Sequence, residues 1–126
     1  MNGWEDMARE NRTTAAELSA GHRWRSAVSR AYYAIYAEVT GMLTHVGVSM
    51  PAGRGNPSHK RLWRIIADHL TAVPPAERWR LAGLVDMLYK LRIIADYKPD
   101  TEIDQDEAKI ALGLMVQAFR CLESAS

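Results

Sequence analysis

From Arg23 to Val46 the apolar residues Trp24, Ala27, Val28, Ala31, Tyr32, Ile35, Val39, Met42, Leu43 and Val46 recur at intervals of three and four. That spacing keeps one side of an α-helix apolar for about six turns, so the segment reads as a central helix on which others pack. A weaker stripe precedes it, Trp4, Met7, Ala8, Ala15 and Leu18, and stops near Gly21, where glycine suits a helix C-cap. Residues 47–58 hold three Gly and two Pro and predict the one substantial loop. Asn56 before Pro57 then predicts a third helix, with Asn capping and Pro in the first turn, running to about Thr71 with Leu62, Ile65, Ile66 and Leu70 inward.

Pro74 and Pro75 separate that helix from a fourth carrying Leu81, Val85, Leu88, Leu91 and Ala95. Its end is expected near Tyr97, because Pro99 disfavours helical geometry at Lys98. The last helix has the clearest start: Asp104 with Glu107 three residues on makes a capping box, and Ile103 and Ala108 occupy hydrophobic-staple positions. Ala111, Leu112, Met115, Phe119 and Leu122 supply its inner stripe. No stretch alternates at period two. The expectation is an all-α, antiparallel up-and-down bundle of four main helices plus an N-terminal helix, forming one domain over residues 1–126.

With 48% hydrophobic and 25% charged residues, the chain can bury a core and is not of the disordered class. It has no run of about 18 apolar residues, and its first ten include Trp4, Glu5, Asp6 and Glu10 in place of a secretory signal, so a cytoplasmic protein off the membrane is expected. One cysteine, Cys121, can form neither an internal disulfide nor a cysteine-based zinc site. The net charge of +1 is unevenly spread. Residues 22–64 hold seven Lys or Arg against one acid, Glu38, a sum of +6, whereas from Asp96 onward seven acids face three bases, a sum of −4. A basic first half suits an anionic partner or the acidic tail of another copy.

Three stretches then stand out. Ser29-Arg30-Ala31-Tyr32-Tyr33-Ala34-Ile35-Tyr36 lies on the central helix, Ser58-His59-Lys60-Arg61-Leu62 follows the loop, and Leu91-Arg92-Ile93-Ile94-Ala95-Asp96-Tyr97 ends the fourth helix. In order and spacing they resemble the small stand-alone prokaryotic branch of the HEPN family, over roughly residues 8–122. The resemblance implies a helical, dimeric protein of a toxin–antitoxin or defence system, without a cofactor. It further implies a metal-independent endoribonuclease, or a partner of a nucleotidyltransferase-like antitoxin. The family's catalytic motif is an Arg, four to six intervening residues, then His. Here Tyr97, Lys98 and Pro99 stand five, six and seven residues after Arg92, and the His is absent.

Metal-free RNA cleavage requires a base for the 2′-hydroxyl proton and a cation for the phosphorane. Arg92 is the cation of choice, with Asp96 four residues on, about 40° around the helix, where it pairs with Arg92 on one face. The plain alternative is a helix-end ion pair with Tyr97 closing the core. His59, expected at a helix N-terminus that would lower its pKa and attract anions, is the base of choice. Arg64 and His69 also satisfy Arg-x4-His, but about 140° separates them on a regular helix. Arg54 and His59 have the same spacing across Gly55 and Pro57.

Arg30, Lys60, Arg61 and Arg64 are the residues expected to contact RNA, among a basic stretch interleaved with Trp24, Tyr33, Tyr36 and Trp63. No His and carboxylate set has metal spacing, so no metal is expected. Two functions stay open: an RNA-binding endoribonuclease with Arg92, Asp96, Tyr97 and His59 at its site, and a non-catalytic adaptor for a nucleotidyltransferase-like or other defence partner.

Overall fold

A computed structural model describes residues 3–48 and 56–125. Among these residues five helices follow one another: α1 (Gly3–Ala20), α2 (Trp24–His45), α3 (Leu62–His69), α4 (Pro75–Tyr97) and α5 (Gln105–Glu123). No strand occurs among the described residues, as the missing period-two pattern requires. The weight is distributed differently from expectation, because α1 is one of four long helices and α3 has only eight residues.

Helix α2 is central for the reason its sequence gives. Thirteen of its 22 residues are buried, among them Val28, Ala31, Tyr32, Ile35, Val39 and Leu43, and it touches α1, α4 and α5. Alanines at 27, 31, 34 and 37 let these neighbours approach from several sides. The apolar stripes of α4 and α5, Leu81, Val85 and Leu88 on one and Ala111, Met115 and Phe119 on the other, complete one continuous core.

The ends of α1 and α5 show how local chemistry stops and starts the elements. Arg23 N–H reaches Leu18 O (2.8 Å) and His22 N–H reaches Ser19 O (3.1 Å), a Schellman end to α1. The left-handed position in that motif is held by His22 (φ 61°), the residue after Gly21, and its ring stacks on Trp24 at 4.9 Å. At α5 the expected capping box is present: Asp104 accepts from Asp106 and Glu107 N–H, and Glu107 accepts from Asp104 N–H. Ile103 and Ala108 are both buried beside it.

The third helix starts later than the Asn56-Pro57 signal predicts. Residues 56–59 are irregular, residues 60–61 form a turn, and α3 begins at Leu62 without a side-chain cap. Tertiary bonds hold this segment: Tyr36 Oη donates to Pro57 O (2.8 Å), and Tyr32 Oη bonds His59 Nδ1 (2.8 Å). Two tyrosines of α2 thereby outweigh a local capping preference. Arg54, and with it the Arg54–His59 spacing, lies outside the described residues.

Candidate functional site

Where α2 and α4 run antiparallel, a cluster of charged and aromatic groups forms on one side of the bundle. Arg92, on α4, is buried to 7% exposure, and its neighbours account for that. Its Nε donates to Asp96 Oδ2 (2.9 Å), and its NH2 donates to Tyr33 Oη (2.5 Å) and Tyr97 Oη (3.4 Å). The guanidinium carbon lies 5.1 Å from the Tyr33 ring centre, 5.2 Å from Tyr97 and 5.7 Å from Tyr32. Burial works against the Arg92 charge, but Tyr33, the Asp96 hydrogen bond and Tyr97 outweigh it and raise the pKa, so Arg92 stays a cation. Ser29 Oγ donates to the same Asp96 oxygen (3.2 Å) and fixes the carboxylate from α2.

His59 approaches from the other side of the tyrosines. Its ring stacks on Tyr36 at 4.2 Å and lies 5.7 Å from Tyr32 and 5.8 Å from Tyr33. It stands three positions before Leu62, the first residue of α3. Its pKa is lowered, but the causes are burial and the Arg92 charge rather than the helix terminus the sequence suggested. His59 is therefore neutral near pH 7. Burial and Tyr36 push the Tyr32 phenol far up, so it remains protonated and serves as the Nδ1 partner.

Arg92, Asp96, Tyr97 and His59 all line one cleft of about 670 Å³. Arg30 is there as well, its guanidinium 5.1 Å from the Tyr33 ring and its NH1 donating to Asn11 Oδ1 (3.2 Å). The other RNA-contact expectations fall elsewhere. Lys60, Arg61 and Arg64 are exposed outside the cleft, and Arg64 pairs with Asp68 (3.5 Å), not with His69. Tyr97 does not close the core: at 63% exposure it stands at the cleft mouth. Helix α1 contributes Trp4, Met7 and Asn11 to the wall, which the sequence reading missed. The only signal was Trp4 itself, a large ring at the start of a weak stripe; it packs edge-on against Tyr36 at 6.4 Å.

The arrangement is held at its open end by Arg25 of α2. Its NH1 donates to Ile94 O (2.9 Å), Ala95 O (2.8 Å) and Lys98 O (3.2 Å), and its NH2 donates to Thr101 O. One guanidinium thus caps the last turn of α4, the turn that carries Asp96 and Tyr97.

The stretches Ser29–Tyr36, Ser58–Leu62 and Leu91–Tyr97 therefore each supply residues to the same cleft. Residues 1–125 match the HEPN domain. The chain belongs to the HEPN family. No curated protein and no solved structure matches it. Within this HEPN chain, the position where the family motif places its His is taken by the C-terminus of α4, with Tyr97, Lys98 and then Pro99. The one imidazole that lines the cleft is His59, from a separate segment. Among the described residues no group of three His, Cys, Asp or Glu is placed to hold a metal ion, and no helix is long and apolar enough to cross a membrane.

Proposed function

We propose that this HEPN protein binds single-stranded RNA in the cleft and cleaves it without a metal, in a toxin–antitoxin or defence setting. The observation that carries the reading is convergence: Arg92 and His59, 33 positions apart in the chain, meet on the same pair of rings, Tyr32 and Tyr33. Neutral His59 bonds Tyr32 through Nδ1, so Nε2 is the nitrogen left for substrate. In the tautomer protonated on Nδ1, Nε2 takes the 2′-hydroxyl proton as the 2′-oxygen attacks phosphorus. Arg92 stabilises the charge on the phosphorane, and the P–O5′ bond breaks with the 5′-oxygen taking a proton from water. The products are a 2′,3′-cyclic phosphate and a 5′-hydroxyl end. Arg30 holds a neighbouring phosphate, and Trp4 offers a face for a base.

The test is incubation of the purified chain with a short single-stranded RNA in excess chelator. Cleavage to cyclic-phosphate ends is expected, abolished by Arg92→Lys, which loses the fork, and by His59→Ala. Intact RNA at high protein concentration would remove the catalytic reading. One observation favours the second reading, a non-catalytic adaptor for a nucleotidyltransferase-like or other defence partner: Asp96 already neutralises Arg92 at 2.9 Å, so a phosphate must compete with a carboxylate. Under that reading, affinity capture from the native host recovers a protein partner, and Asp96→Asn does not increase RNA binding.

A further inference from the structure

A second cavity, of about 270 Å³, shares no lining residue with the cleft. The cleft takes its α2 residues from Ser29 to Ala37, and the cavity takes its own from Glu38 to Val46, nearer the end of the helix. Three helices finish here: α2 is capped at Val46, α3 at Leu70, and α5 stops two residues before Ala125, and each of these three residues lines the wall. The last carbonyls of a helix carry a negative partial charge, so three such ends meet at one space. Opposing them, α1 brings its N-terminal turn, whose dipole is answered by its own acids Glu5 and Asp6.

Glu38 gives this space a full charge. It is half-buried, and among the described residues no Lys or Arg pairs with it or lines the cavity. Burial first and Glu5 second push its carboxyl above the ordinary range, and Arg9 and Arg12, which line a neighbouring cavity, do not offset them. A desolvated carboxylate beside another carboxylate is stabilised by a cation. Much of the remaining wall is apolar, with Met42, Leu70 and Ala72, and the buried Gly41 leaves α2 without a side chain at that point. The volume is nearly twice the roughly 150 Å³ that holds a benzene ring, so a ligand on the order of ten heavy atoms fits. Among the described residues no aromatic ring lines the space, so it is no cage for a quaternary ammonium. A primary ammonium, with three N–H donors, suits the carboxylate instead.

We propose that this cavity binds a small primary aliphatic amine, with the ammonium on Glu38 and the carbon chain against Met42, Leu70 and Ala72. The bound cation answers the carboxylates and the three helix ends together. The site does not depend on what the cleft does.

Titration of the full chain with n-pentylamine, followed by calorimetry and by amide NMR shifts, tests it. Saturable binding in the millimolar range or tighter is expected, moving the amide signals of Gly41, Val46 and Ala72 and leaving that of Asp96 in place. n-Pentanol, similar in shape but without the charge, should bind about tenfold or more weakly. Glu38→Gln should weaken n-pentylamine by a similar factor while keeping the circular dichroism helical, because it removes a half-buried carboxylate that lacks a pairing cation. Ala72→Leu adds a side chain to the wall and should abolish binding by filling the space, again with helix content unchanged. No saturable binding, shifts centred on the cleft, n-pentanol binding as well as n-pentylamine, or either variant binding like the unaltered chain would each overturn the proposal.

Discussion

Truncating Arg25 separates what one side chain does for stability from what the helix does for itself. Of the four carbonyls it reaches, two have other donors: Ile94 O accepts from Lys98 N–H (3.1 Å) and Lys98 O from Thr101 N–H (3.1 Å). Ala95 O would ordinarily accept from residue 99, but Pro99 has no N–H. Thr101 O, likewise, is held by Arg25. Arg25→Met keeps the aliphatic stem while leaving these two acceptors to water at a half-exposed site. At roughly 1 kcal/mol for each lost bond, below the fully buried range because water enters, the loss should be about 2 kcal/mol. Arg25→Lys, with a compact ammonium in place of a fork, should recover about half of that. Urea unfolding followed by circular dichroism measures both. A loss under about 0.5 kcal/mol in the Met variant, the range of an unremarkable surface change, would refute the reasoning.

Three other expectations follow from single features. His22 holds a left-handed backbone (φ 61°) that costs a residue with a Cβ, so His22→Gly should raise stability by up to about 1 kcal/mol in urea unfolding, less whatever the Trp24 stack contributes. Asp104→Ala removes the acceptor for Asp106 N–H (2.9 Å) and Glu107 N–H (3.3 Å) and should cost about 1 kcal/mol, read as a lower thermal midpoint. His59 has a lowered pKa in the fold, so below about pH 6.5 the unfolded chain binds the proton more readily and stability falls, by at most about 1.4 kcal/mol per pH unit, until the folded pKa is passed. Above that pH the group contributes no slope. Unfolding curves from pH 7 to 5 should be flatter in His59→Asn, and equal slopes would show that another group titrates.

Periodic features were legible in the sequence because helical geometry is local. The α2 face, the Asp104 box and the Arg92–Asp96 pair all follow from spacing within one element and are found, except that Val46, the last residue of the expected α2 stripe, lies past the helix end and is exposed. What could not be read is whatever depends on two elements at once. The Asn56-Pro57 signal is a sound local rule, overridden by hydrogen bonds from Tyr32 and Tyr36, residues more than twenty positions away. The same bonds bring His59 to the cleft. Its place there therefore comes from tyrosines on α2, not from the start of α3. Trp4 was unreadable for a related reason, since α1 meets the cleft only after folding against α2.

The charge split gives the sharpest way to tell a focused site from a basic surface. Read as a sum, residues 22–64 carry +6 and invite the picture of a broad phosphate-binding face. The structure divides that charge. Arg25 is committed to carbonyls at the end of α4, Arg30 enters the cleft, and Lys60, Arg61 and Arg64 are exposed outside it. Among the described residues the cleft cations are then two, Arg30 and Arg92, both against the Tyr33 ring. Each phosphate neutralised on a single strand releases about 0.7 of a counterion, so binding confined to the cleft should show a slope near −1.4 in log affinity against log salt. Engagement of the whole basic segment would make the slope steeper than about −4. Fluorescence anisotropy of a labelled RNA across a salt series distinguishes the two. Arg30→Gln should lower the slope by about 0.7, while Lys60→Gln should leave it unchanged. A steep slope that Lys60→Gln reduces would mean that RNA lies along α3 rather than in the cleft, and would take with it the roles given to Arg92 and His59.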